Sequence, residues 1–194
     1  MRMSEAEAVR RGIIPEKDRA GSVKEPCGNK VCKRKLDALK HAKVTLWESK
    51  KAIVLTSDII PISLNHIVSM HPMVWTKYAN TWKRLVFEAV LESKLKNKAL
   101  AHAFPVIYIY KREGRNLLDL DNIIIKPIID GLVISGVYQD DSPDIFHVPP
   151  FSTQVQLKEN SREFPDEGMK IYFYKRKDHY QNMLNHVLTR IPCL

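Results

Sequence analysis

Residues 117–141 read LLDLDNIIIKPIIDGLVISGVYQDD, and the fold turns on how this stretch divides. Its middle, from Ile123 to Ser135, is strongly apolar and is followed by Gly136, so it is predicted to be a buried helix ended by that glycine. Carboxylates crowd both flanks. Between Asp119 and Ile145 stand six aspartates against one base, Lys126, a formal charge of −5 in a chain whose total is +9. The rest of the molecule therefore carries +14, and the contrast calls for a physical reason.

Asp119 and Asp121 are two apart, so at the end of an extended segment both point to one side. There they either repel or share a cation. Asn122 suits the start of the following helix. That helix would be about 18 Å long, so its ends do not meet by themselves. A strand carrying VYQDD back along the sheet would bring Asp141 beside Asp119 and Asp121. Three carboxylates in one place make a hard oxygen site, suited to Mg²⁺ or Mn²⁺ rather than zinc. Asp130, inside the apolar stretch, is expected to be structural, in a buried hydrogen bond or salt bridge, and Asp144 after Pro143 to belong to a turn.

Working outward, AIVLTSDI (52–59) reads as a strand and PISLNHIVSMHP (61–72) as a loop. Residues 74–97 place Trp75, Tyr78, Trp82, Leu85, Val86, Ala89 and Val90 at helical spacing, an amphipathic helix with its aromatics in the core. AHAFPVIYIYKRE (101–113) reads as a strand. STQVQLKEN (152–160) and MKIYFYKRK (169–177) alternate across a turn-rich link, which predicts a hairpin. HYQNMLNHVLTRI (179–191) reads as a last short helix. The order β-α-β-α-β-β predicts an α+β fold, a single domain with a mixed β-sheet and packed helices over residues 51–177. Residues 178–194 form a tail. Residues 1–50, net +6, read as a basic, separable N-terminal extension with helices near 4–12 and 33–50. Such an arm attracts polyanions, nucleic acid above all, unless it is only a solvated extension.

At 194 residues, 44% hydrophobic and 27% charged, the chain suits one globular domain with additions. The most apolar run is broken by Lys126, Pro127 and Asp130 and is too short to span a bilayer. Three cysteines make no disulfide framework, and the N-terminal stretch has no signal-like apolar run. A reducing cytoplasm and no membrane are expected. Cys27 and Cys32 with His41 lack a fourth ligand, so no zinc site is expected.

The segment DLDNIIIKPIIDGLVISGVYQDDS resembles the RusA family of Holliday junction resolvases, whose members carry Asp-x-Asp-Asn, a lysine on the next helix, and Asp-Asp after a glycine-containing loop. DIIPISLNH (58–66) is similar to that family's early strand and Pro-x-Ser-x-Asn element. The resemblance spans roughly residues 52–175. It implies that Asp119, Asp121 and Asp141 are catalytic metal ligands with Asp140 beside them, and that Lys126 is the catalytic lysine. Lys126 follows Asp121 by five residues, one more than the family's usual spacing. Pro127 biases it away from helical geometry, and an irregular first turn would absorb the extra residue. The implied activity is Mg²⁺-dependent (or Mn²⁺-dependent) cleavage of four-way DNA junctions in recombination and repair, by a homodimer. Its apolar interface would come from AIVL (52–55) or from the helix of residues 123–134. Asn65, His66, Lys77, Lys83, Arg84, Lys111, Arg112 and Arg115 are the candidate DNA contacts, with solvated surface as their plainer reading. A non-cleaving DNA-binding protein and a nuclease for flaps or other branched DNA are the alternatives.

Overall fold

The computed structural model describes residues 30–68, 70–112, 123–146, 151–157 and 167–188. A five-stranded mixed sheet runs in the order β1-β2-β5-β3-β4. Its strands are β1 (Val44–Glu48), β2 (Ala52–Ser57), β3 (Phe104–Arg112), β4 (Phe151–Leu157) and β5 (Glu167–Tyr174). Among the described residues five helices accompany it: α1 (Lys30–Lys40), α2 (Leu64–Val68), α3 (Pro72–Ser93), α4 (Lys126–Ile134) and α5 (Lys177–Leu188). The α+β expectation holds, as does a helix over the tail.

The predicted helix over 33–50 is corrected. It ends at Lys40, and Val44–Glu48 is an edge strand paired antiparallel with β2. Ser49 closes this hairpin without a glycine: its hydroxyl accepts from Ala52 N and donates to Ala52 O, each at 2.9 Å. Leu39, Val44 and Leu46 are buried. Residues 30–50 thus belong to the packed body rather than to a separable arm, and the helix placed near 4–12 lies outside the described residues.

The predicted hairpin of the last two strands is also corrected. β5 inserts between β2 and β3, antiparallel to both, whereas β4 lies on the far side of β3 and parallel to it. A parallel neighbour needs a long crossover, and the stretch from Arg112 to Phe151, with α4 inside it, supplies one.

α3 carries the core. Tyr78, Ala79, Trp82, Leu85, Val86, Ala89 and Val90 form its buried stripe, as the spacing predicts. The helix starts two residues earlier than expected, at Pro72, because His71 Nδ1 accepts from Met73 N at 3.3 Å and proline suits a first turn. It packs with Ile53, Leu55, Ile107, Ile109, Ile171 and Phe173 of the sheet in one apolar cluster. α4 lies across α3 at Gly131, where an added Cβ would stand 2.9 Å from Val86 Cβ. The two apolar segments proposed as a dimer surface are spent here: Ala52–Leu55 and most of α4 are buried within the chain. The loop over 61–72 contains α2, whose Leu64 and Val68 are exposed.

Glu48 ties β1 to distant parts of the chain, accepting from Lys175 Nζ at 2.6 Å and pairing with Lys98 at 3.0 Å. The bond from Lys175, then that from Lys98, outweighs burial and holds the carboxyl below its ordinary 4.5. A lowered folded-state pKa adds stability that is present above the unfolded value and fades as pH falls through the folded one. Glu48→Gln should therefore cost about 1 kcal/mol at pH 7, as for an ion pair at the protein surface. The difference from wild type should begin to close near pH 4.5 and continue to shrink below it, as measured by urea melts at pH 7 and pH 3.5.

Candidate nuclease site

Between β3 and α4 the chain passes through residues 113–122, which lie outside the described residues and hold Asp119, Asp121 and Arg115. Its exit is pinned. Ser63 pairs with Ile123, and Ile62 O accepts from Ile124 N at 3.4 Å. The Ile62 N–H in turn donates to the Tyr78 hydroxyl at 3.0 Å, inside the core. Burial pushes that phenol up to about 12, so it stays a neutral partner. The Pro-x-Ser-x-Asn element and the residues that follow Asn122 are therefore neighbours, anchored from α3.

α4 begins at Lys126, three residues later than predicted. Ile125 before it has φ −99° and ψ 0°, and no side chain caps the turn. Lys126 is itself the first helical residue, and Ile128 N and Ile129 N both donate to Ile125 O, so the irregular first turn expected from Pro127 is not seen. At the other end Gly136 takes a left-handed φ of 75° and turns the chain away. VYQDD does not form a strand. The loop instead stands on two buried aromatic feet, Tyr138 and Phe146, 4.8 Å apart and both packed on Phe173. Single bridges join Tyr138 to Leu100 and Phe146 to Ala103. Between the feet Asp140 and Asp141 reach solvent, and Asp140 Oδ1 accepts from Asp141 N at 2.7 Å.

Lys126 reaches across to this loop. Its ammonium donates to Asp141 Oδ2 and to Asp130 Oδ1. Asp130 Oδ2 takes Lys83 of α3 at 2.9 Å. Burial alone would lower the Lys126 pKa, but the bonds from Asp130 and Asp141 together outweigh it and leave it raised. The Lys126 hydrogen bond holds Asp141 below the usual carboxylate range against a smaller opposing effect of burial. Three of the motif residues, Lys126, Asp140 and Asp141, are thus brought together by packing. Among the described residues no three metal-ligating side chains form a cluster. Asp140 and Asp141 are hard oxygen donors of the kind Mg²⁺ takes, and the remaining two carboxylates of the motif belong to residues 113–122.

The other expected residues are spread around this centre. His66 shares a 2.8 Å hydrogen bond with Ser63 through Nδ1 and, with Lys111 and Lys35, lines one cavity. Asn65 is exposed on α2, Lys77 on α3, and Arg112 at the end of β3. Lys83 and Arg84 are engaged within the protein, Lys83 with Asp130 and Arg84 with Glu88 at 3.0 Å. Cys27 lies outside the described residues. Asp130, expected to be structural, forms ion pairs with Lys83 and with Lys126 four residues before it on the same helix. Sequence reasoning missed Lys35, which pairs with Glu167 at 3.5 Å on the wall of that cavity. No protein-family model, curated protein or solved structure matches the chain. Among the described residues no helix is long and apolar enough to cross a membrane.

Proposed function

We propose that the protein is a Mg²⁺-dependent structure-specific endodeoxyribonuclease that cuts four-way DNA junctions as a homodimer. The observation that carries this reading is the meeting of Lys126 with Asp141, fifteen residues apart and next to Asp140. These are the residues that the resemblance names, and they converge on one face through α4 and an anchored loop. Asp119, Asp121 and Asp141, with Asp140 adjacent, would hold the metal. When bound, a divalent ion would lower the pKa of a coordinated water and neutralise charge on the phosphate. Lys126, already held at Asp141, offers ammonium N–H donors to a phosphate oxygen whose charge grows in the transition state. Asn65, His66, Lys77, Lys111, Arg112 and Arg115 would contact the DNA, and the +14 outside the acidic segment supplies the attraction.

The test is incubation with a synthetic four-way junction, a flap and a linear duplex, in Mg²⁺ and in EDTA. Paired nicks in the junction, present only with Mg²⁺, are the expected result. Binding without metal-dependent nicking would make the chain a junction-binding protein instead, and preference for the flap would move it to that substrate. Two opposed nicks need two sites, and each chain has one. Sedimentation should therefore give about twice the chain mass, and a strict monomer on junction DNA would sink the resolvase reading.

A further inference from the structure

Resting on the nuclease reading above, we infer that Asp130, anchored by Lys83, is a positioning residue that aims Lys126 at the reacting phosphate. Lys126 stands on the first turn of α4 with its side chain 58% exposed. A lysine so placed has a long flexible stem and samples many rotamers. An i,i+4 pair on one helix restrains it weakly, the more so with the lysine N-terminal to the acid. Asp130 is different because its own carboxylate is fixed. Its side chain is 21% exposed, and its second oxygen is taken by Lys83, itself 23% exposed, from the neighbouring helix.

Gly131 makes this possible. With no Cβ at that position α3 and α4 come together so closely that an added carbon would lie 3.3 Å from the Lys83 Cα. Lys83 is thereby delivered to Asp130 Oδ2, while Asp130 Oδ1 faces Lys126. An aspartate serving packing alone would need only the Lys83 contact. The second oxygen, turned toward Lys126, extends the chain of charges Lys83–Asp130–Lys126–Asp141 out to the loop that carries the proposed metal ligands. Positive and negative groups alternate along it, so Asp130 and Lys126, its two middle members, are each held from both sides. Asp130 touches neither substrate nor metal in this scheme and acts only through Lys126.

The experiment is a set of single-turnover and steady-state cleavage assays on junction DNA in Mg²⁺. It uses wild type, Asp141→Asn, Lys126→Met, Asp130→Asn, Asp130→Glu, Lys83→Met and the Lys126→Met/Asp130→Asn double variant. Asp130→Asn should lower kcat about 10- to 100-fold, the range found when a partner that orients a functional group is removed. KM for DNA should hardly change, and Asp130→Glu should recover part of the loss. Lys83→Met should act in the same direction, more weakly. The deciding comparison is the double variant, which should be no slower than Lys126→Met alone, because residues acting as one unit are not additive. A double variant slower than Lys126→Met, or full activity in Asp130→Asn, overturns the inference while leaving the nuclease reading intact. If Asp130→Asn does not fold, Lys83→Met and Asp130→Glu carry the same comparison in the Lys126→Met background. A wild-type protein that cuts nothing in Mg²⁺ overturns the nuclease reading, and the role of Asp130 falls with it.

Discussion

Asp141→Asn should fold, bind junction DNA at least as tightly as wild type, and fail to cut it. The fold survives because Asp141 stands on the solvent side of a loop whose buried feet are Tyr138 and Phe146. Its ion pair with Lys126 is largely exposed, so its loss should cost no more than about 1 kcal/mol. Binding should survive because, on the proposed reading, one negative charge is removed from a surface that meets a polyanion. Cleavage should fail because, on the proposed reading, the substitution removes a metal ligand together with the carboxylate that holds Lys126. The expected loss is on the order of a thousandfold or more, about 4 kcal/mol of transition-state stabilisation. Gel-shift titrations beside single-turnover rates in saturating Mg²⁺ check both halves. Near-normal turnover would place the metal elsewhere. Loss of binding together with cleavage would mean that Asp141 shapes the surface rather than the chemistry.

Gly131→Val should be the most damaging single change to the fold that the α3–α4 crossing predicts. Even a lone Cβ would come to 2.9 Å from Val86 Cβ and 3.0 Å from its Cγ1. Neither contact relaxes cheaply, since valine is stiff at χ1 and the next neighbour is Lys83 backbone. Gly131→Ala sets this clash against a gain in helix propensity of about 1 kcal/mol, so its net effect should be smaller. Valine has less helix propensity to offer and adds two more carbons to a packed crossing, so it should cost about 3 kcal/mol. That corresponds to a fall in Tm of about 6–12 °C for a domain of this size. Thermal melts of the two variants against wild type measure it. A valine variant as stable as wild type would mean that the helices part easily and that their close approach is not a requirement of the fold.

How much of this was readable beforehand varies with the range of the forces involved. α3 was legible because its apolar stripe repeats at the helical period, and β2 because its β-branched run has no competing pattern. β1 was not. VTLWESKK lacks the Asn-Gly signal of a tight hairpin, and its turn depends on a bifunctional serine. The order of the last two strands was not legible either. Nearness in sequence suggested a hairpin, whereas β4 pairs with a strand more than 40 residues earlier. In the site, Lys126 and Asp141 could be linked only through a resemblance of motif. Asp130 was legible as a structural residue, but the identity of its partner Lys83 was not, since that lysine comes from another helix at a distance no local pattern encodes.

Among the described residues, the strand that closes the sheet is also the last in chain order. Until residues 167–174 arrive, β1–β2 and β3–β4 are two separate ribbons, each with an unsatisfied inner edge. β5 must then thread between them and form both ladders, one to a partner more than 100 residues earlier in the chain. Closing contacts so distant in sequence makes folding slow, and open edges during that delay invite pairing between molecules. A chain cut short before residue 167 would accordingly be no smaller working domain but an adhesive intermediate.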